Sequence, residues 1–371
     1  MNTDIADNRT KADLRGLTEE DLRSFAGKMG EAPFRGRQIF EWISKGAKNI
    51  EDMRNLPKSV KVKLKEKAYI SALPEIDKRV SKIDETRKYL FETNNAGSIE
   101  SVLMKYEYGY SACISSQAGC RMGCRFCASK EAGFRRNLTA GEMLGQVLEL
   151  NSDLSDEFGD NERVSRIVVM GIGEPFDNYE NLSKFIRIVT SPHGLNIGMR
   201  HITVSTCGIV PKIKLYGEDF PQAGLAVSLH ATTDKARSDV MPINNEYGIT
   251  ELIEACRKYT EKTSRRITFE YTHVAGVNDT EEDAKRLAEL LRGMLCHVNL
   301  IPLNYVKESG LNASENKSIR AFQRILTERG VNATIRRSLG QDIAAACGQL
   351  RAGELSSKLK GKENIEDKLT K

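Results

Sequence analysis

The chain has 371 residues, 40% hydrophobic and 29% charged, the balance of an ordinary folded protein with room for two or three domains. Its net charge of +5 is too small by itself to mark a polyanion-binding protein, and no apolar run approaches the roughly 20 residues that would cross a membrane. The start, Met1-Asn2-Thr3-Asp4-Ile5, lacks the basic and apolar stretches of a secretory signal, and eight cysteines are too few for a secreted disulfide scaffold, so a cytoplasmic location with reduced thiols is expected.

Residues 1–14 are polar and read as disordered. Thr18 with an acidic turn at 19–21 opens a helix that Gly30 closes; a second helix is expected over Arg37–Lys45 and a third from Pro57 to Lys67. These make a small helical module, placed at residues 15–90, with 15 Lys+Arg against 9 Asp+Glu between Glu31 and Leu90. Its run Lys58–Lys67 suits a phosphate-backbone partner, the alternative being a solvated helix face. Strand-like runs follow at Lys88–Glu92 and Glu100–Met104, and Thr139-Ala140-Gly141-Glu142 reads as a capping box.

From there strands and helices alternate: strands at Arg166–Met170, His201–Ser205, Gly224–Leu229, Arg266–Tyr271, His297–Ile301 and Asn332–Arg336, with helices at 180–189, 210–215, 249–259, 281–291 and 317–329. Such alternation predicts an α/β fold, a parallel sheet closed as a partial (β/α)6 barrel over residues 91–353, with ligands beyond the carboxyl ends of the strands. The polar, charge-rich stretch 354–371 reads as a disordered tail.

Chemistry concentrates at two places. Cys120, Cys124 and Cys127 follow the spacing C-x-x-x-C-x-x-C with no fourth cysteine close by. Three thiolates serve three irons of a four-iron cluster and leave one iron for a non-protein ligand; a structural zinc site would need a fourth donor. Polar residues also fall at successive strand ends: Gly173 and Glu174 in Gly171-Ile172-Gly173-Glu174-Pro175, then Ser205, then Ser228-Leu229-His230, then Asn304. Cys113 precedes the triad in Cys113-Ile114-Ser115-Ser116-Gln117, and Cys347 sits in Ala345-Ala346-Cys347-Gly348-Gln349-Leu350; a lone cysteine of this kind is most often a small buried packing group. Cys207, Cys256 and Cys296 are read as core packing.

Together these motifs, with Pro33-Phe34-Arg35-Gly36-Arg37-Gln38, resemble the RlmN/Cfr family of radical S-adenosylmethionine (SAM) adenine methyltransferases over residues 17–351. The resemblance implies a [4Fe–4S] cluster on Cys120, Cys124 and Cys127 and SAM held by Gly173, Glu174, Ser205, Ser228, Leu229, His230 and Asn304. It implies that Cys347 carries a methyl group to carbon 2 of an adenine in 23S rRNA, and of a tRNA as a further substrate. Glu100 would remove the ring proton, and a Cys113–Cys347 disulfide would release the product. A flavodoxin or ferredoxin as electron donor and a monomeric, membrane-free protein complete the expectation. The close alternative is Cfr-type methylation of carbon 8, which gives antibiotic resistance; a remote one is a non-catalytic, zinc-stabilised RNA-binding protein. The chain departs from the family pattern at Lys130 and at Asn304-Tyr305-Val306, where a proline is common after the asparagine.

Overall fold

The computed structural model describes residues 11–93, 97–131, 133–159 and 161–351; the expected disorder of 1–10 and of the 354–371 tail lies outside them. Residues 11–14, read with the polar end, are ordered. Ala12–Asp13 pairs in parallel with Ala68–Tyr69, Asp13 Oδ1 accepts the N–H groups of Arg15 and Ser71, and Leu14 is fully buried. One apolar side chain and one bridging carboxylate anchor a segment whose composition looks disordered.

Helix α1 (Glu19–Lys28) starts with the expected cap: Thr18 Oγ1 accepts the Asp21 N–H, and the Asp21 carboxylate accepts the Thr18 N–H. Helix α2 (Phe34–Ser44) crosses it at Gly36, where a Cβ would come within 2.4 Å of the Leu22 main chain. Helix α3 (Lys58–Lys67) buries Val60 and Leu64 against this pair. Its basic run is largely paired within the module: Lys61 and Lys65 with Glu51 at 3.5 and 2.5 Å, Lys63 with Glu31 at 2.5 Å. That arrangement favours the solvated-face reading of the run.

Strands β1 (Glu75–Val80), β2 (Arg87–Thr93), β3 (Gly97–Tyr106) and β4 (Gly109–Cys113) form an antiparallel flank. Beyond it come helix α4 (Ala140–Phe158), β5 (Val164–Val169), α5 (Tyr179–Thr190), β6 (Ile202–Thr206), α6 (Val210–Asp219), β7 (Gly224–Ser228), α7 (Asp234–Val240) and α8 (Ile249–Thr263). The series ends with β8 (Ile267–His273), α9 (Glu281–Leu290), β9 (Cys296–Pro302), α10 (Asn316–Glu328) and β10 (Ala333–Ile335). Among the described residues the strands make one ten-stranded sheet in the order β10-β9-β8-β7-β6-β5-β4-β3-β2-β1, parallel from β4 to β10.

Two boundaries differ from the sequence reading. β1 and β2 belong to the sheet, so the helical module ends near Lys67 rather than residue 90. The parallel series also starts one strand earlier, at β4, whose short run Gly-Tyr-Ser-Ala-Cys carries little strand propensity and is held by neighbours on both sides. The central strands are apolar on both faces, as in Leu225-Ala226-Val227, because helices cover one face and the barrel interior the other. Their carboxyl ends share one rim, at Cys113, Val169, Thr206, Ser228 and Pro302. The module and barrel share a continuous apolar core, in which Phe40 and Leu64 join Leu144 and Phe185.

Candidate active site

The loop after β4 is pinned at both ends. Gln117–Ala118 pairs with Arg136–Asn137, and Gly119, at φ +78°, passes so close to Gly133 O that a Cβ would overlap it. Arg121 grips Asp177 with two hydrogen bonds of 2.8 and 2.9 Å, and the Arg125 N–H donates to Val240 O at 3.0 Å. Cys120, Cys124 and Cys127 thereby line one cavity. Burial, then the neighbouring Cys127 charge, pushes the Cys120 thiol up to about 12; burial followed by Cys127 and Cys120 drives Cys124 far above its usual range. Cys120 and Cys124 would therefore hold their protons unless bonded to a cation, which suits ligation of iron. Among the described residues no three His, Cys, Asp or Glu side chains form a single-ion site, whereas a cluster takes each thiolate on its own iron.

Gly173, Glu174, Ser205, Ser228, His230 and Asn304 line the same cavity; Leu229 does not, being fully buried with its N–H on Glu270 O at 3.0 Å. Gly173 has φ +106°, and a Cβ there would strike Gln117, whose side-chain oxygen accepts the Glu174 N–H at 2.8 Å. Burial raises the Glu174 pKa, while N–H groups of Cys207 (2.7 Å) and Phe176 (3.0 Å) oppose the shift. His230 accepts the Thr272 N–H on Nδ1 at 2.9 Å, so its proton sits on Nε2. Burial, helped by Arg237, drops its pKa to about 3 and keeps the ring neutral, edge-on to Phe126 at 4.5 Å.

The segment after β10 closes the cavity. Asn304 Nδ2 donates to Cys347 O at 3.1 Å, the Ala128 N–H to Gly348 O at 2.8 Å, and Ser129 Oγ to Leu350 O at 3.2 Å. Cys347 is thus set in the wall between the first cavity and a second one that Cys113 lines. Burial, then the Cys347 charge, pushes the Cys113 thiol up to about 12. All eight cysteines are free thiols. Glu100 lines neither cavity; its carboxylate faces Lys88 Nζ at 3.1 Å and accepts the Arg351 N–H at 2.6 Å.

Residues 12–70 match the Ribosomal RNA large subunit methyltransferase N-terminal domain, and residues 114–291 the Radical SAM superfamily. A "Probable dual-specificity RNA methyltransferase RlmN" of Thermoanaerobacter sp. (strain X514) is 49% identical over 339 residues, 91% of this chain and 97% of that protein. Its namesake in Clostridium perfringens (strain SM101 / Type A) is 52% identical over 343 residues, 92% and 97% of the two. The chain belongs to the RlmN family. A solved radical SAM methyltransferase from Sphaerobacter thermophilus superposes with a TM-score of 0.86 at 44% identity, covering 92% of this chain and 99% of that one. The radical SAM fold brings with it a [4Fe–4S] cluster and SAM.

Within this RlmN-family site lie residues that the sequence reading passed over. Cys207, read as packing, lines the cavity beside Cys124, in a small apolar cluster with Val240 and Met241, whereas Cys256 and Cys296 are core residues as read. Glu270 and Arg336 also line the cavity. A signal existed for both: Glu270 is a charged residue inside the apolar strand Ile267–His273, and Arg336 follows a strand end, the position used to select the other site residues.

Proposed function

We propose that the chain is a radical SAM methyltransferase that methylates carbon 2 of an adenine in 23S rRNA and, matching the dual specificity named for its relatives, in a tRNA. The observation that carries the reading is that Cys347 and Cys113, 234 residues apart, line one cavity while Cys347 also lines the cavity of the cysteine loop. Cys120, Cys124 and Cys127 hold the cluster, while Glu174, Ser205, Ser228, His230 and Asn304 bind and orient SAM. The bound cluster and SAM together supply a 5′-deoxyadenosyl radical, which is the means of reaching a ring carbon that is no nucleophile.

Cys347 is the methyl carrier. Its sulfur receives a methyl group by displacement, and loss of one hydrogen from that methyl lets the carbon bond to adenine. Asn304 fixes the carrier through the Cys347 carbonyl. Glu100 takes the ring proton; in the resting fold its carboxylate is covered by Lys88 and the Arg351 N–H, so the C-terminal segment must shift to open it. The adduct must also give up the unpaired electron left by the addition, back to the oxidised cluster. Cys113 then attacks the Cys347 sulfur, forming a disulfide, the carbon released from sulfur takes up a proton as the new methyl group, and an external thiol restores both cysteines. A flavodoxin or ferredoxin provides the electron.

The test is nucleoside mass spectrometry on unmodified 23S rRNA and tRNA given to anaerobically reconstituted protein with SAM and a reductant. 2-Methyladenosine is expected. 8-Methyladenosine would move the chain to Cfr-type chemistry, and no methyladenosine from a cluster-loaded sample would overturn the assignment.

A further inference from the structure

Arg336 follows the last parallel strand, and its backbone N–H donates to Leu300 O at 2.8 Å, which fixes its start against β9. Among the described residues it is the single lysine or arginine that lines the first cavity, and it lines the second as well. Its guanidinium stands 3.8 Å from Glu270 Oε2, beyond hydrogen-bond reach, and that oxygen already accepts Asn299 Nδ2 at 2.8 Å. No described group accepts a hydrogen bond from the Arg336 side chain, which keeps 25% of its surface, facing the cavities it lines. Arginine offers five N–H donors in a planar fork, and donors withdrawn from bulk water without acceptors are costly. Such a side chain is built for an acceptor that arrives with a ligand.

The position narrows the ligand. Cys120, Cys124, Glu174 and Ser205 line only the first cavity, whereas Arg336 shares both cavities with Cys347 and stands on the side where Cys113 lies. Glu270, Tyr106, Cys113 and Cys347 are the groups near enough to act on its charge. A base whose reacting carbon reaches the Cys347 methyl group therefore comes within reach of this guanidinium.

We infer that Arg336 is a catalytic residue that donates a hydrogen bond to a ring nitrogen beside carbon 2 of the target adenine, N1 or N3. The inference rests on the function proposed above and adds the group that makes carbon 2 receptive. When the Cys347 methylene carbon adds, the new carbon–carbon bond takes its unpaired electron and one electron of the ring C=N π pair. The other π electron stays on the ring, delocalised over the nitrogen that accepts the hydrogen bond. A fixed cationic donor stabilises that nitrogen as the bond forms, in a cavity where such a donor counts for more than in water. Arginine remains protonated throughout, so no proton is passed and none must be returned.

The experiment compares wild type, Arg336→Gln and Arg336→Lys on RNA carrying adenine, 1-deazaadenine or 3-deazaadenine at the target position. Arg336→Gln is expected to lower the methylation rate of adenine RNA about 100-fold, the usual loss for one preorganised donor, while methylation of Cys347 in the absence of RNA continues. One of the two deaza substrates is expected to slow wild type and to be slowed no further by Arg336→Gln, because the same hydrogen bond is already gone. Equal losses on all three RNAs would make Arg336 a structural residue. Loss of Cys347 methylation without RNA would assign it to SAM instead. If the variants do not fold, wild type alone decides: undiminished rates with both deaza RNAs overturn the inference. No product from adenine RNA with wild type would instead strike the functional proposal.

Discussion

In the mechanism proposed above the two distant cysteines divide the reaction between them, and each removal should leave its own trace. Cys347→Ala is expected to load the cluster and bind SAM as wild type does, yet make no methyladenosine; nucleoside mass spectrometry on a sample with full iron content checks this. Cys113→Ala keeps the carrier and removes the sulfur that releases it, so a protein–RNA adduct should accumulate, visible as a shifted band sensitive to ribonuclease. Read singly, both look like packing cysteines; only the resemblance of their surrounding motifs to a known family singles them out. Arg336, Glu270 and Cys207 could not be found that way. An arginine after a strand resembles many solvated ones, and only the folded chain shows that this one lines both cavities. Leu229 is the reverse case: it belongs to a motif, but it is fully buried outside the cavity lining and its N–H donates to Glu270 O.

Elements were legible where periodicity was long and capped. The Thr18 and Thr139 boxes both form, and the helices expected at 180–189 and 281–291 appear at Tyr179–Thr190 and Glu281–Leu290. Short elements without a marked period, β1, β4 and α7, were not legible, because sheet neighbours and loop contacts hold them rather than local preference. The flank that β1 and β2 provide is tied to two carboxylates of α4, Glu157, which pairs with Arg87 at 2.7 Å, and above all Asp153. Asp153 accepts hydrogen bonds from Lys78, from Arg87 Nη1 at 2.6 Å and from Tyr89 Oη at 2.6 Å. Burial works against its charge, but these three donors prevail and hold its pKa below the usual value. Asp153→Ala should therefore detach this tie and cost about 2–3 kcal/mol, the range for hydrogen bonds to a charged group, measured by urea unfolding of the cluster-free protein. Being depressed, the Asp153 pKa contributes stability above the ordinary aspartate range that is lost as pH falls through the folded value, and the variant should lack that loss.

Across the whole molecule, one buried histidine outside the site sets an acid limit. His273 ends β8, fully buried between Tyr271 and Phe322, with neither ring nitrogen partnered among the described residues. Burial lowers its pKa to about 4, although Asp279 and Asp283 pull the other way. As pH falls below about 6.5 the unfolded chain takes up a proton that the folded one refuses, so stability declines by about 1.4 kcal/mol per pH unit until the folded pKa is reached. His273→Phe removes both the titration and two unpartnered atoms. Its melting temperature should exceed that of wild type by more at pH 5 than at pH 8, and an equal shift at both would place the acid sensitivity elsewhere.

The hydrogen bonds that seat residues 347–351 against Ala128, Ser129, Asn304 and Glu100 also fix an order of assembly. Cys127 leaves the ribosome 220 residues before Cys347, roughly 10–40 s at ordinary rates of synthesis. Late in that interval, once the strands through β9 are made, the cavity that the three loop thiols line still lacks the side that Cys347 and Gly348 supply. Iron and sulfide can be delivered to it without a gate, and oxygen can enter by the same way. When the last strand and its following segment dock, one movement brings in Cys347 and completes the cavity wall. A nascent chain stalled before Gly340 should therefore accept a cluster and lose it quickly in air, whereas the finished chain keeps it behind its own C-terminal wall.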